Sequence, residues 1–270
     1  MPVPLTLSVR PHPAAFTVAA AALLGMLITL LGGCAHYATP GRGADMAALG
    51  VTPEARNQQT DDAIARSLGK RPLAQFPTGI AAARVQAPGY RSETAQSWGT
   101  GRYSIVTTRD VERPEQVERL EKLPLVSGIA PINRLLLSDQ LNSDLELRQA
   151  AAQLHADMLL VYTIDTRFEV ADKAAPLTVV TLGLSPNQQA RVVTTASAVL
   201  MDTRNGYIYG VAEASEQGSQ LASAWTSTSA VDDARRRTES QAFEKLVGEL
   251  EKTWGMVLQA YGTGRKAVVE

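Results

Sequence analysis

Apolar and polar positions divide the chain into an uncharged amino-terminal run and a longer part with strand and helix patterns. Residues Ala14–Leu31 contain no charged side chain, and Arg10 is the only charge before them. Near the other end, apolar residues recur at helical spacing from Phe243 to Tyr261, which predicts a long helix over about Val231–Tyr261. The pattern therefore indicates an exported or anchored segment followed by a folded domain.

Between these ends, apolar runs predict a series of strands. They lie at Phe76–Gln86, Arg102–Asp110, Leu125–Ile132, Met158–Phe168, Leu177–Leu184, Arg191–Met201 and Tyr207–Ala214. The continuous apolar start of Met158–Phe168 predicts a central strand buried on both faces, whereas Leu125–Ile132 is a short strand or an extended segment. The turn Asp202–Gly206 predicts a tight hairpin, because Asn-Gly readily adopts positive φ.

Helix signals alternate with these strands. A short helix is predicted at Asp61–Leu68, and another at Pro114–Leu123, where Pro suits the first helical position. Ser143 and Glu146 have the spacing of a capping box and predict the start of a helix that ends near Leu154. The order of elements predicts an α+β (mixed α/β) fold, with a mainly antiparallel sheet of about five to six strands. Two or three helices pack on it, including the long carboxy-terminal helix.

The sequence Leu31-Gly32-Gly33-Cys34 ends the uncharged run and resembles the lipobox of bacterial lipoproteins. A basic residue, an apolar stretch and small residues form an export signal. The resemblance implies that diacylglycerol is joined to the Cys34 thiol and that Cys34 becomes the first residue after cleavage. The alternative is an uncleaved membrane-spanning helix with a buried cysteine. Because the only cysteine lies at this position, the lipoprotein interpretation is favoured.

The residue after the cysteine bears on location. Ala35 stands where aspartate, by resemblance to Gram-negative lipoprotein sorting, would retain the protein at the inner membrane. Ala35 therefore favours the outer membrane, with the domain facing the periplasm. The predicted organisation is a signal peptide at 1–33, a lipidated and flexible tether at 34–70, a periplasmic α/β domain at 71–263 and a tail at 264–270.

Composition argues against several kinds of partner and chemical site. The chain has 270 residues with a formal net charge of -1, so no basic surface suggests nucleic acid as a partner. A single cysteine excludes an intrachain disulfide and cysteine-based metal clusters, and the three histidines show no metal-ligand spacing. We find neither a Gly-x-Ser-x-Gly nucleophile motif nor a phosphate loop. We therefore expect no metal, no cofactor, no catalytic residue and no enzymatic activity.

A few charged residues are candidates for binding. Asp165 and Arg167 lie on the predicted central strand, either where it leaves the sheet or at a binding site. Arg236 is the middle of three successive arginines, which are expected to form a solvated, ion-paired helix face rather than a lipid or peptidoglycan contact. His155 is expected near a helix carboxyl end, where the dipole favours a cation. The acidic pair Asp232-Asp233 is expected at a helix start.

The layout resembles a loose group of bacterial envelope lipoproteins. These are the curli-secretion lipoproteins, the activator lipoproteins of penicillin-binding proteins and the amino-terminal domain of the Tol-system β-propeller protein. The helix-then-strand block Leu147–Tyr162 and the hairpin Ala198–Gly206 carry the resemblance, within about Ile80–Tyr261. The chain departs from these families because it lacks long insertions for pore hairpins and a Gly-Gly transmembrane tail.

The resemblance and the lipobox imply a lipid-anchored envelope protein with a non-enzymatic binding, scaffolding or assembly role. Its partners would be the membrane, through the lipid, and an envelope protein that binds a sheet edge or the long helix, and oligomerisation is compatible with this role. One alternative is an oligomeric secretion-channel or pore subunit of the outer membrane. A second alternative is a hydrolase with unrecognised catalytic residues.

Overall fold

A mixed β-sheet forms the centre of the domain. The computed structural model describes residues 40–45, 61–172, 188–222 and 227–262. Its strands are β1 Thr78–Gln86, β2 Ser97–Trp98, β3 Thr100–Gly101, β4 Ser104–Val106, β5 Val126–Pro131, β6 Gln140–Leu141, β7 Met158–Asp172, β8 Gln188–Asp202 and β9 Ile208–Ala222. The main sheet has seven strands in the order β2-β4-β1-β7-β8-β9, with β5 also paired to β1. The contacts of β1 with β5 and β7 are parallel and the other pairings in this sheet are antiparallel.

The described residues contain four α-helices that accompany the sheet. They are α1 Asp61–Gly69, α2 Pro114–Glu121, α3 Asp144–Gln153 and α4 Ser227–Val257, and a π-helical turn, Leu258–Gly262, follows α4. The predicted α+β class with a mainly antiparallel sheet and a long carboxy-terminal helix is therefore confirmed. The described residues contain no helix that is both long and apolar enough to cross a membrane.

Helices cover both faces of the sheet. On one face, α2 and α4 pack on alternate residues of the central strands, including Leu160 and Ile164, through Leu120 and Leu246. Arg119 of α2 also forms ion pairs with Glu244 and Glu251 of α4. On the other face, α3 packs on the intervening residues of β1, β7 and β8. Leu147, Ala150, Ala151, Ala81, Leu159, Val161 and Val199 belong to this second core.

Local signals define most element boundaries. The Ser143 hydroxyl accepts a hydrogen bond from the Leu145 N–H, and the Glu146 carboxylate accepts one from the Ser143 N–H, so the predicted capping box is present. Gly206, with φ 67°, completes the predicted hairpin turn. The strand Met158–Phe168 is central as predicted and extends to Asp172. The predicted strand Leu177–Leu184 lies outside the described residues.

Predicted and observed boundaries differ at β4 and at the start of α4. The strand expected at Arg102–Asp110 is only Ser104–Val106, because β5 pairs with Thr78–Ala82 and leaves Arg84–Gln86 of β1 for β4. The long helix begins at Ser227 rather than near Val231. The acidic pair Asp232-Asp233 therefore lies beyond the first turn of α4, where it pairs with nearby arginines instead of capping the helix.

A short stretch before α1 contacts the sheet. The Gly43 N–H donates to Asp165 Oδ1 at 3.2 Å, and the Ala44 N–H donates to Thr163 Oγ1 at 2.7 Å. A Cβ atom on Gly43 would lie 3.1 Å from Thr163 Oγ1, so this close approach favours glycine. Residues 40–45 of the segment predicted as a flexible tether therefore lie against the end of β1 and the middle of β7.

Candidate functional site

The sequence-predicted residues on β7 hold the amino-terminal stretch. Asp165 accepts the hydrogen bond from Gly43, and its other carboxylate oxygen lies 3.6 Å from Arg167 Nε. The Arg167 side chain is 83% exposed, so this ion pair is weak. The structure thus brings Asp165 and Arg167 together at the sheet surface, where Asp165 holds Gly43. Both residues lie within β7, which continues to Asp172, so the expectation that they mark the end of the strand is wrong.

The three successive arginines do not share one environment. Arg235 is completely buried, which corrects the expectation of a solvated arginine face. The side chain of Arg236 is 45% exposed and forms ion pairs with Asp232 and Asp233 at 3.1 and 2.5 Å. Arg236 thus belongs to an ion-paired helix surface, as predicted, whereas Arg235 points into the protein.

Arg235 is part of a buried charged cluster that the sequence interpretation missed. Its members are Arg84, Asp110, Glu112, Arg235 and Glu239, whose side chains are all at least 95% buried. Arg84 Nη1 lies 3.0 Å from Asp110 Oδ1 and 3.3 Å from Glu112 Oε1. Arg235 Nη1 donates to Glu239 Oε2 at 2.7 Å. The cluster therefore joins β1, the loop before α2 and α4.

Polar side chains complete the cluster. Thr166 on β7 donates to Glu239 Oε1 at 2.8 Å, and the Tyr162 hydroxyl donates to Glu112 Oε1 at 3.0 Å. Burial raises the pKa of Tyr162, and the negative charge of Glu112 raises it further. Two arginines and three carboxylates are paired inside the protein, so the cluster has the character of a structural network that fixes α4 on the sheet.

One sequence signal could have revealed this network. Arg84 lies within the alanine-rich strand Thr78–Gln86, and a charge inside a buried strand needs a partner. Its partners come from positions 110, 112 and 239, which no local pattern connects.

His155 has a structural setting. It is exposed and follows the end of α3, with φ 54°, and its N–H donates to Ala152 O at 3.0 Å. His155 lies at a depression of about 210 Å³ beside Asp157 and Arg204, whose side chains form an ion pair of 2.6 Å. In the part of the chain that the structure describes, no group of three or more His, Cys, Asp or Glu residues could hold a metal ion.

One concave surface of the described residues is an open groove of about 440 Å³, which we call the tyrosine groove. Its lining residues are Pro72, Ala74, Gln75, Phe76, Tyr209, Ala260, Tyr261 and Gly262. They come from the segment between α1 and β1, the start of β9 and the turn after α4. The volume lies within the range of ligand-binding clefts, about 300–1,000 Å³. The groove is therefore our candidate functional site.

The rings of Tyr209 and Tyr261 form one wall of the groove, and Tyr207 packs against both of them. Tyr207, Tyr209 and Tyr261 contact each other edge to face, with ring centroids 5.2 to 6.2 Å apart. Such edge-to-face pairs stabilise one another beyond simple burial. Behind the groove, Phe76 contacts Trp254 at 5.9 Å, which connects this wall to the core.

Hydrogen bonds fix the orientation of these rings. The Tyr209 hydroxyl donates to Asp202 Oδ2 at 2.8 Å and accepts from the Ala74 N–H at 2.9 Å. Burial, together with the bond to Asp202, raises the pKa of Tyr209. The hydroxyls of Tyr207 and Tyr261 lie 2.8 Å apart, and this bond raises the pKa of Tyr207. These hydrogen bonds hold the three rings in place, so the groove presents a preformed aromatic surface.

Comparisons with known proteins do not identify a family. No family model matches the sequence, and no curated protein matches it. A candidate lipoprotein from Caulobacter crescentus is 15% identical, with 40% of this chain and 78% of that chain covered and a TM-score of 0.26. A Xanthomonas campestris protein of family model DUF330 is also 15% identical, with 70% and 94% covered and a TM-score of 0.35. A hypothetical protein from Chlamydia trachomatis is 11% identical, with 65% and 97% covered and a TM-score of 0.29. Similarities this weak carry no argument about function.

Proposed function

We propose that this chain is a lipid-anchored protein of the bacterial cell envelope with a non-enzymatic binding or scaffolding role. Cys34 would be the lipidated first residue of the mature protein, and the domain would face the periplasm from the outer membrane. The observation that carries the proposal is the position of the only cysteine, directly after Ala14–Leu31 and the small residues Gly32 and Gly33.

The anchor chemistry explains these residue types. The thiol of Cys34 accepts the diacylglycerol, and small residues before it let the chain pass through the peptidase active site. Each buried lipid methylene contributes about 0.8 kcal/mol, so several acyl chains hold a protein far more firmly than one. The resemblance of the domain layout to envelope lipoproteins agrees with this location.

The distribution of charge and aromatic side chains supports binding over catalysis. The buried charged cluster, which includes Arg84 and Glu239, is sealed from solvent, so a substrate cannot reach its carboxylates. The tyrosine groove is open and its rings are held in place before any ligand arrives. Preformed aromatic surfaces of this kind are common in protein interfaces, because little conformational entropy is lost on binding. We propose that an envelope protein binds here.

Radiolabelled palmitate tests the anchor. Cys34→Ala should leave the precursor uncleaved and unlabelled, because no other thiol is present. Met26→Ala, which keeps the apolar run and the cysteine, is the control and should be processed normally. Palmitate incorporation into the Cys34→Ala variant would overturn the proposed lipidation.

Site-specific photo-crosslinking tests the groove. A crosslinking amino acid at Gln75, which is exposed in the groove, should capture an envelope protein in intact cells, whereas one at the exposed Leu135 should not. Ala260→Arg places a bulky charge at the exposed rim and should abolish the product. Equal products at both positions, or no effect of Ala260→Arg, would contradict the groove as the binding site. A ring of copies crosslinked through Gln75 would favour the secretion-channel alternative.

A further inference from the structure

Two exposed apolar surfaces on this chain have no apolar cover among the described residues. The first is a stripe on α1, where Ile64 is 59% exposed and Leu68 is 75% exposed. These residues are four positions apart and therefore share one helix face. No residue of α1 is buried, so the helix does not pack its apolar stripe on the domain.

The second surface lies on the β8–β9 hairpin, on the sheet face opposite α4. Ser197, Ala198, Val199, Met201, Ile208, Val211, Ala212 and Glu213 line a shallow groove of about 350 Å³, which we call the hairpin groove. Ile208 is 55% exposed and Val211 is 68% exposed. Helix α3 packs on the neighbouring strands of this face, but the described elements place no helix over β9 here. The hairpin groove therefore has the form of a helix-binding surface without a helix.

Helix α1 is held beside this groove rather than on it. The chain directly after α1 is tied to the hairpin turn, because Asn205 Nδ2 donates to Arg71 O at 2.7 Å and the Leu73 N–H donates to Asp202 Oδ2 at 2.8 Å. Lys70 Nζ is 3.5 Å from Gly206 O. These hydrogen bonds keep α1 at the turn end of the hairpin, while the apolar stripe of α1 stays exposed. One chain therefore carries two complementary surfaces that do not meet within it.

We propose that a second copy of this chain occupies the hairpin groove, with the α1 stripe of each copy packed in the groove of the other. Nine helical residues extend about 13.5 Å. The groove between Ile208 and Glu213 extends about 17 Å along β9 at the usual rise per strand residue. The lengths match, and a reciprocal exchange is closed by a two-fold axis, the commonest symmetry of soluble dimers.

Charge complementarity also favours α1 as the occupant. Helix α1 begins with Asp61 and Asp62 and has Arg66 in its last turn. The hairpin groove has Glu213 at one end, and Arg204, with its side chain 50% exposed, lies in the turn near the other end. An α1 helix aligned with its amino end toward Arg204 brings opposite charges together at both ends, which fixes its direction.

The predicted dimer interface is small, and attachment of both copies to one membrane would favour the dimer. Two short helix contacts bury less area than a standard protein interface, so a weak dimer is expected in dilute solution. Anchoring both copies in one membrane raises their effective concentration. The proposal goes beyond the proposed partner-binding role, because it concerns a different surface and does not require the tyrosine groove.

Disulfide trapping between differently tagged full-length copies tests the proposal. One copy carries Leu68→Cys and the other carries Val211→Cys, and both are expressed in the same cells. A disulfide joining the two tags is expected, at several times the yield obtained when Leu135→Cys replaces Val211→Cys. Equal yields would overturn the proposal. Each single variant is also expressed alone, which reveals any disulfide that the new cysteine forms with Cys34. A failure of lipidation is thereby recognised separately from a failure of the proposed contact.

Two further measurements distinguish the outcomes. The double variant Leu68→Cys, Val211→Cys in one tagged copy should give disulfides between copies. An exclusively intrachain disulfide would show that α1 covers its own groove and would overturn the exchange. In analytical ultracentrifugation of detergent-purified protein, Arg66→Glu and Glu213→Lys should each weaken the dimer about tenfold. The combined variant should restore it, and unchanged dimerisation in both single variants would overturn the proposed contact.

Discussion

At the residue scale, the nitrogen atoms of the buried Arg235 guanidinium contact three different side chains. Its Nε lies 2.9 Å from Asp232, its Nη1 2.7 Å from Glu239 and its Nη2 3.1 Å from Thr94 Oγ1. Removing one partner from such a network leaves the others charged in a medium of low dielectric, which is more costly than removing an exposed charge. Arg235 thus joins the amino-terminal half of α4 to the loop between β1 and β2.

The neighbouring arginines allow a matched test of this role. Arg235→Met should lower the free energy of unfolding by about 3–5 kcal/mol, because Arg235 is the cation closest to the buried carboxylate of Glu239 and also pairs with Asp232. Arg236→Met removes an exposed ion pair and should cost less than about 1 kcal/mol. Urea unfolding followed by circular dichroism gives both values. Similar losses in the two variants would contradict the role assigned to Arg235.

Asp110 should make stability depend on pH in acid. Burial alone would raise the pKa of its carboxyl, but Arg84, the hydrogen bond from Thr94 and Arg235 outweigh burial and hold the pKa below its ordinary value of 3.8. A carboxyl with a lowered pKa stabilises the fold above that ordinary value, and this stabilisation is lost as pH falls through the pKa of the folded protein.

We therefore expect Asp110→Asn to lower the free energy of unfolding at pH 7 and to flatten its decline below about pH 4. Urea unfolding at a series of pH values measures both effects. Asp139→Asn changes an exposed carboxyl and serves as the control, with the acid decline retained. A decline as steep in Asp110→Asn as in the unmodified protein would show that Asp110 is not responsible.

At the element scale, close approach fixes α4 on β9. A Cβ atom at Gly218 would overlap Thr238 Oγ1, and one at Gly210 would overlap Thr253 Cγ2. Thr238 is buried, and its hydroxyl donates to Ala234 O at 2.7 Å, so its side chain has little freedom to move aside. At these two positions of β9, the absence of a side chain therefore leaves room for the threonine side chains of α4.

Alanine substitutions test the close contact between β9 and α4. Gly218→Ala should lower the unfolding free energy by about 1–3 kcal/mol, as overpacking does in well-packed cores. Adding Thr238→Ala should recover part of that loss. Gly248→Ala, on α4 where an added Cβ meets nothing within 4 Å, should instead raise stability by about 0.5–1 kcal/mol. Equal effects of Gly218→Ala and Gly248→Ala in thermal unfolding would contradict the close contact.

Elements set by local rules were predictable from the sequence. The capping box of Ser143 and Glu146 and the turn ending at Gly206 depend on side chains within a few residues of each other. The apolar start of β7 indicates burial whatever packs on it. The end of β4 was not predictable, because it depends on β5 taking the other half of the same edge of β1.

The candidate site shows the same limit more strongly. Arg84 and Glu239 are far apart in sequence, and the charge pattern of the Arg235–Arg237 run equally fits an exposed face. The tyrosine groove combines residues near 72–76, 209 and 260–262, so no contiguous sequence motif predicts it. Only the lipobox is contained in one contiguous stretch, and for that reason the proposed location rests on sequence while the proposed binding surface rests on structure.

At the scale of the whole molecule, the number of residues between Cys34 and Gly43 bears on the proposed anchor. The chain passes from Cys34 to Gly43 and Ala44, which are hydrogen-bonded to β7. Gly43 follows Cys34 by nine positions, so a lipid on Cys34, as proposed, would hold Gly43 within about 30–32 Å of the membrane. The length of the chain therefore sets an upper limit on the distance between the proposed lipid and Gly43.

The identity of residue 35 should decide which membrane holds that anchor. By resemblance to Gram-negative sorting, Ala35 permits release to the outer membrane, whereas an aspartate at this position favours retention at the inner membrane. We expect Ala35→Asp to move most of the protein to the inner-membrane fraction in a sucrose gradient, with palmitate labelling unchanged. Ala35→Ser adds a polar group without charge and should stay with the outer membrane. Because Ala35 precedes the first described residue of the domain, a shift confined to Ala35→Asp is expected to report sorting alone. Unchanged fractionation would remove the proposed outer-membrane location while leaving the proposed lipid anchor intact.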